Sequence, residues 1–310
     1  MKKILFIFIL FLCLSGCTLG NAETSIPNEI IPTTKDENTT PNVTTPEVTT
    51  PNETLSNEYL IGDFKITTNI LNGFTFDENV INFTEPGEYI VSGSFNGSLI
   101  FSENILDSVE LYLDNAHITG STLPAIYWKK DSGKIEIKAM AETINTITQS
   151  SNPALLNAAI ESENNIELGG SGSLTISGLQ KHAVKGSNIT VKGNVILDIS
   201  AVSDGFHAKH VLFTGGFSVF HHCSDAVQAE VNKNNQKGTI LIEAGTIIIK
   251  NTNTAFQADT SLKSIAKIDL ETNLPVSIII SITSVDGTFK TPIYEFDSNT
   301  TVTLDGVSIK

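Results

Sequence analysis

The chain has 310 residues and a formal net charge of −15, which disfavours nucleic acid and any polyanion held by charge alone. All 19 basic residues are lysines, so the bidentate guanidinium grip on carboxylate and phosphate groups is absent. An anionic ligand therefore needs lysines, backbone amides or a bridging cation.

The N-terminus has the pattern of a bacterial signal peptide. Lys2 and Lys3 precede an apolar run over residues 4–14, which is too short to span a bilayer. The LSGC segment at 14–17 resembles a lipobox, in which the cysteine is acylated and becomes the first residue. We therefore expect a signal peptide at 1–16, a lipid anchor on Cys17 and a location on the outer face of the cell membrane. The alternative is ordinary secretion, with Cys17 incidental.

Residues 17–57 are rich in Thr, Pro and Asn, as in the segment TTPNVTTPEVTTPNET at 39–54. Too little apolar surface is present there to offset the entropy of chain ordering, and the repeated prolines keep the chain extended. We expect a disordered spacer that carries the following domain through the cell wall.

A repeat dominates the rest of the chain, where short Val-, Ile- and Thr-rich runs alternate with Gly, Asn and Ser. SDGFHA at 203–208 returns as SDAVQA at 224–229. Related segments are AAIES at 158–162, HAVKG at 182–186 and TAFQA at 254–258, so the spacings are 24, 22, 21 and 29 residues. Most of these motifs are followed by a strand-like run, a glycine-bearing turn and a second such run. A unit of this length cannot bury its own apolar face, but stacked copies can.

The repeat predicts an all-β fold, a parallel β-helix over residues 58–310. Equivalent residues of successive coils then stack about 4.8 Å apart. One column of small residues lines an inner corner, and the next column forms an apolar ladder of Ile160, Val184, Phe206, Val227 and Phe256. The sequence lacks the L-x-x-L-x-L framework of a leucine-rich repeat. A β-sandwich would not give fixed side-chain columns.

Two carboxylates, Asp204 and Asp225, occupy adjacent coils of one column. Like charges that close repel unless a cation bridges them or one is protonated, and Ca²⁺ prefers such oxygen donors. Glu230 and Asp259 form a second pair of this kind in another column. The alternative is that Asp204 and Asp225 cap backbone amides in turns.

The lipoprotein signal, the Thr/Pro spacer and the DGFHA stretch at 204–208 together resemble a clostridial carbohydrate-binding β-helix family. The resemblance covers about residues 60–285. It implies a right-handed parallel β-helix similar to pectate lyases, bound calcium, and binding of cellulose and acidic glycans such as polygalacturonate. The family carries an acidic residue just after this motif, where the present chain has Lys209.

We therefore expect a non-catalytic, calcium-associated polysaccharide-binding protein on the cell surface. Tyr127 and Trp128 are the aromatic candidates for stacking on sugars, and Lys209 is a candidate polar contact; the alternative for Tyr127 and Trp128 is packing at a loop base. The sequence leaves two other functions open: a calcium-dependent lyase with Lys209 as its base, and a structural adhesin.

Overall fold

The computed structural model describes residues 57–128, 133–151, 156–231 and 238–310. The expected signal peptide, the lipidated Cys17 and nearly all of the expected spacer lie outside these residues. Within them, no helix is long and apolar enough to cross a membrane.

The described chain is all-β, and its strands belong to one hydrogen-bonded system. In chain order the strands are β1 (Asn57–Ile61), β2 (Phe64–Thr68), β3 (Phe74–Asp77), β4 (Val80–Phe83), β5 (Gly87–Asn96), β6 (Ser98–Phe101), β7 (Val109–Thr119), β8 (Ile126–Trp128), β9 (Lys134–Ala139), β10 (Ile144–Thr148), β11 (Ala158–Ser162), β12 (Asn165–Gly170), β13 (Ser173–Gly178), β14 (His182–Lys185), β15 (Asn188–Val191), β16 (Ile196–Ala201), β17 (Phe206–Ala208), β18 (His210–His221), β19 (Asp225–Ala229), β20 (Thr239–Ala258), β21 (Ser261–Ser264), β22 (Ile278–Lys290), β23 (Tyr294–Phe296), β24 (Thr300–Leu304) and β25 (Val307–Ser308).

The strands form three parallel ladders, because each strand pairs with the equivalent strand of the next coil. The first ladder runs through β4, β6, β8, β11, β14, β17, β19 and the last parts of β20 and β22. The second contains β9, β12, β15, β21 and β23 with parts of β5, β7, β18 and β20. The third contains β10, β13, β16 and β24 with parts of β5, β7, β18, β20 and β22. This β-helix-like architecture is the stacking that the repeat predicts.

Antiparallel pairs lie at both ends of the ladders. β1 pairs with β2, and β3 pairs with β4, before the first complete coil. At the other end β25 folds back on β24. A parallel ladder ends in a row of unpaired backbone groups, and these hairpins use part of that edge.

The apolar ladder that the repeat predicts is present on the first ladder. Ile160, Val184, Phe206, Val227 and Phe256 are in register on successive coils and are fully buried. Beside them the small-residue column brings backbones close together. A Cβ on Gly205 would lie 2.5 Å from the carbonyl oxygen of Ala226 and 2.7 Å from a ring carbon of Phe220, so the tight corner requires glycine there.

Candidate functional site

The repeated Asp column lies where the chain enters the first ladder. The Ala183 N–H donates to the Asp204 carbonyl over 3.1 Å, and the Gly205 N–H donates to the Asp225 carbonyl over 2.9 Å. These bonds place Asp204 and Asp225 one coil apart, as the alignment of the repeats indicates.

The Asp204 carboxylate is buried and faces two imidazoles. Its Oδ2 lies 3.0 Å from His182 Nδ1 and 2.9 Å from His207 Nδ1, and its Oδ1 accepts a hydrogen bond from Ser203 Oγ over 3.2 Å. The two imidazole rings stack with their centroids 4.3 Å apart. Burial alone would raise the pKa of Asp204, but the hydrogen bonds from His182 and His207 outweigh it and hold that pKa well below its usual range.

Asp225 has a different environment. Burial raises its pKa, and the neighbouring charge of Asp204 adds to the effect, while a hydrogen bond from Thr254 and the charge of Lys290 oppose it. The repulsion expected between stacked carboxylates is therefore present. In the folded protein the repulsion raises the pKa of Asp225, because hydrogen bonds from His182 and His207 keep Asp204 ionised.

The donors around Asp204 do not fit calcium. Ca²⁺ takes six to eight oxygen ligands, whereas the Oδ2 atom of Asp204 faces two ring nitrogens. Of the other predicted carboxylates nearby, Asp225 is partly exposed and Glu230 is half-exposed.

Glu230 and Asp259, the second predicted pair, contact different partners. Glu230 accepts a hydrogen bond from Gln228 Nε2 over 2.7 Å and lies 3.6 Å from His207 Nε2. Asp259 accepts the backbone N–H of Val231 over 2.8 Å. Glu230 thus belongs to the surroundings of His207, and Asp259 holds the backbone of the neighbouring coil at Val231.

A polar column runs along the outside of the first ladder, in register from coil to coil. We call it the outer column; its members are Tyr127, Glu161, Lys185, His207, Gln228, Gln257 and Lys290. Most of these side chains are partly exposed. Only Tyr127 among them was a candidate from the sequence, because the other members are of ordinary surface types.

Two adjacent cavities lie along the outer column. One, of about 360 Å³, is lined by Lys185, His207, Lys209 and Glu230 among others. The second, of about 390 Å³, is lined by Glu161, Glu163, Lys185 and Lys209 among others. Because they share Lys185, Gly186 and Lys209, we treat them as one groove.

A comparison with family models identifies the family of the chain. Residues 77–291, more than two thirds of the sequence, match a model described as a carbohydrate-binding domain-containing protein. The chain belongs to this carbohydrate-binding family. The match covers the whole outer column and both cavities.

A solved structure shares the fold of this carbohydrate-binding protein. It is a gadolinium derivative of the polysaccharide lyase-like protein from C. thermocellum, with a TM-score of 0.60 and 23% sequence identity. The alignment covers 77% of the present chain and 95% of the other. No curated protein matches the sequence.

The sugar-contact candidates of this carbohydrate-binding protein differ in accessibility. Tyr127 is partly exposed on the outer column, and Lys209 lines both cavities. Trp128, the next residue in the strand, points inward, is fully buried, and packs on Phe101 with ring centroids 5.8 Å apart. This corrects the expectation of an exposed Trp128, since a buried indole offers no face to a sugar. Successive strand residues alternate between the two faces, so only one of Tyr127 and Trp128 points outward.

Proposed function

We propose that the protein binds polysaccharide through the outer-column groove without cleaving it, from the outer face of the cell membrane, to which Cys17 anchors it. The observation that carries the proposal is the family match over 77–291, which coincides with an open groove on a rigid ladder. The three parallel ladders support our inference that the chain winds as a right-handed parallel β-helix.

The composition of the groove supports binding of hydroxyl-rich chains, with charged sugars as a second class. Tyr127 offers a partly exposed ring, and Lys185 and Lys209 offer ammonium donors. Glycan sites combine aromatic surface with a few oriented polar groups in this way. Glu161, Glu163 and Glu230 lie beside the same lysines, so a polyuronate would meet mixed charge.

We propose a role for calcium only in the binding of acidic glycans. Asp225 and Glu230 are the carboxylates that would hold it, and the ion would neutralise repulsion between the protein and a uronate. Binding of polygalacturonate should then weaken in a chelator, while binding of cellulose should not.

A polysaccharide lyase is the second candidate, and the position of Lys209 in the groove favours it. A lyase base removes the proton beside a uronate carboxyl group, the glycosidic C–O bond on the adjacent carbon breaks, and its oxygen leaves as a hydroxyl group on the other fragment. The double bond that forms is conjugated with the carboxyl group and absorbs in the ultraviolet. A lysine must be neutral to act as this base.

The deciding experiment is an assay of the purified chain against cellulose and polygalacturonate, with calcium and with chelator. Co-sedimentation measures binding, and ultraviolet absorbance at alkaline pH measures elimination. The proposal expects sedimentation with at least one glycan and no growth of absorbance. Absorbance that grows steadily and is lost in Lys209→Ala would replace binding with lyase activity, and binding to neither glycan would favour a structural adhesin.

A further inference from the structure

We propose that His182, Asp204 and His207 form a site for a borderline divalent transition metal of the zinc class. The site lies under the groove but does not depend on glycan binding, so either proposal can fail alone. It also replaces calcium at Asp204 with an ion of different chemistry.

The three ligating atoms already converge on a small volume. Asp204 Oδ2 lies 3.0 Å from His182 Nδ1 and 2.9 Å from His207 Nδ1, and one ligand atom from each of the three residues lies within 4.8 Å of the others. Tetrahedral zinc with bonds of about 2.0–2.1 Å separates its ligand atoms by roughly 3.3 Å. The two Oδ2 to Nδ1 distances need to grow by only a few tenths of an ångström.

The hydrogen bonds around His182 contain a conflict that neither tautomer resolves. The backbone N–H of Asp204 points at His182 Nδ1 over 3.4 Å, which requires a lone pair on that nitrogen. The same nitrogen lies 3.0 Å from Asp204 Oδ2, which requires a proton there. One nitrogen cannot satisfy both in one tautomer. A metal ion between Nδ1 and Oδ2 would bind one lone pair from each atom and so replace the short contact between them, at the cost of the long 3.4 Å contact from the Asp204 N–H.

The surroundings supply the outer partners that metal-bound histidines use. With His207 Nδ1 on the ion, its Nε2–H points toward Glu230, whose Oε2 lies 3.6 Å away. Glu230 is in turn held by Gln228 over 2.7 Å. A carboxylate behind a ligating imidazole fixes the ring and raises its basicity. Ser203 fixes the other oxygen of Asp204.

Burial makes the site rigid and selective. His182 and Asp204 are 3% and 4% exposed, and they lie on neighbouring coils of one ladder. Two imidazoles and one carboxylate suit zinc, copper, nickel and iron, whereas calcium and magnesium prefer oxygen alone. His207 is partly exposed and lines the cavity of about 360 Å³, which gives solvent access to the site.

The test is a titration of the metal-stripped, full-length chain with Co²⁺, followed by visible absorption. We expect ligand-field bands that saturate near one equivalent, are displaced by Zn²⁺ and persist in millimolar Ca²⁺. Thiolate charge-transfer bands should be absent, because no cysteine is among the ligands. Zn²⁺ should also raise the unfolding temperature of the wild-type chain.

The variants are Asp204→Asn and His207→Gln, with His221→Gln as the matched control. His221 also pairs with a carboxylate, Asp198, over 2.6 Å, but on the third ladder. Both site variants should bind Co²⁺ at least about tenfold more weakly, since even outer partners of a metal contribute tenfold or more. The control should match the wild type.

Far-UV circular dichroism establishes that each variant is folded. If both site variants unfold, the wild-type results decide the matter. Wild-type protein that shows neither cobalt bands nor a Zn²⁺-induced rise in unfolding temperature would overturn the site, as would His207→Gln that binds normally or Ca²⁺ that displaces cobalt.

Discussion

Carboxylates stack in register on two sides of this solenoid, and the two stacks have different partners. On the second ladder, Glu110, Glu136 and Glu167 occupy successive coils. On the first ladder, Asp204 and Asp225 do the same. The coil spacing is shared, so the difference lies in the side chains placed between the carboxylates.

Lysines fill the gaps of the glutamate stack. Lys134, Lys138 and Lys192 form ion pairs with these carboxylates, including Lys134 to Glu136 at 2.5 Å and Lys192 to Glu136 at 2.9 Å. We call the three glutamates and three lysines the ion-pair network. Its formal charges cancel. Burial would raise the pKa of Glu136, but hydrogen bonds from Lys134 and Lys192 outweigh it and lower that pKa to about 2.

Imidazoles fill the gap at Asp204, and no lysine lies within 4.0 Å of either Asp204 or Asp225 in the part of the chain that the structure describes. A lysine ammonium group neutralises a carboxylate, but it has no lone pair and cannot bind a metal ion. A neutral imidazole retains a lone pair that a metal can use. The same stacking geometry thus produces a closed structural network on one ladder and an open site on another.

The largest expected effect comes from removing the core that supports the open site. Phe206 is fully buried, and its ring meets that of Phe220 edge-on at 5.0 Å. Phe206→Ala should lower the free energy of unfolding by about 3–5 kcal/mol, because it leaves a cavity. Denaturant unfolding measures it. Phe217→Ala, at a ring that is 39% exposed, should cost less than half as much; equal costs would contradict the inward placement of Phe206.

The ion-pair network gives the next largest effect. Glu136→Gln leaves three lysines with two carboxylates, and we expect a loss of about 1–3 kcal/mol. This is below the roughly 3–5 kcal/mol of a fully buried pair, because the lysine partners are partly solvated. Glu295→Gln is the control, since its pair with Lys263 at 2.9 Å is exposed and is expected to contribute under about 1 kcal/mol. Similar losses in both variants would show that the network is an ordinary surface feature.

Acid should remove the contribution of the ion-pair network to the free energy of unfolding. The pKa of Glu136 is lowered from 4.5 to about 2 in the folded protein, so its contribution is complete above pH 4.5 and lost as the pH falls toward 2. The difference in unfolding free energy between wild type and Glu136→Gln should shrink over that range. Unfolding curves at pH 2.5, 3.5, 4.5 and 6 measure it. A difference that stays constant, or that grows in acid, would contradict the assignment.

The sequence predicts the stacking well, because each coil repeats one short motif and the apolar ladder follows from aligning it. The partners of the carboxylates were much harder to predict. His182 stands in the Asp column 22 residues before Asp204, but its ring position depends on side-chain torsions that no spacing encodes. For Trp128 the sequence-based expectation of an exposed side chain was wrong. Its alternation with Tyr127 is visible in the sequence, yet which of the two points inward depends on strand register, which the less regular early coils leave undefined.

Polysaccharide binding at the outer-column groove is the central claim, and one binding isotherm with two matched lysine variants tests it most directly. Lys185 pairs with Glu161 at 3.3 Å in the groove, and Lys263 pairs with Glu295 at 2.9 Å on the second ladder; both lysine side chains are about one third exposed. We predict that Lys185→Ala binds the preferred glycan at least about fivefold more weakly, the loss of roughly 1 kcal/mol that defines an important contact. Lys263→Ala should bind as the wild type does. Unchanged binding in Lys185→Ala, together with a loss in Lys263→Ala, would contradict the claim and move the binding surface to the second ladder.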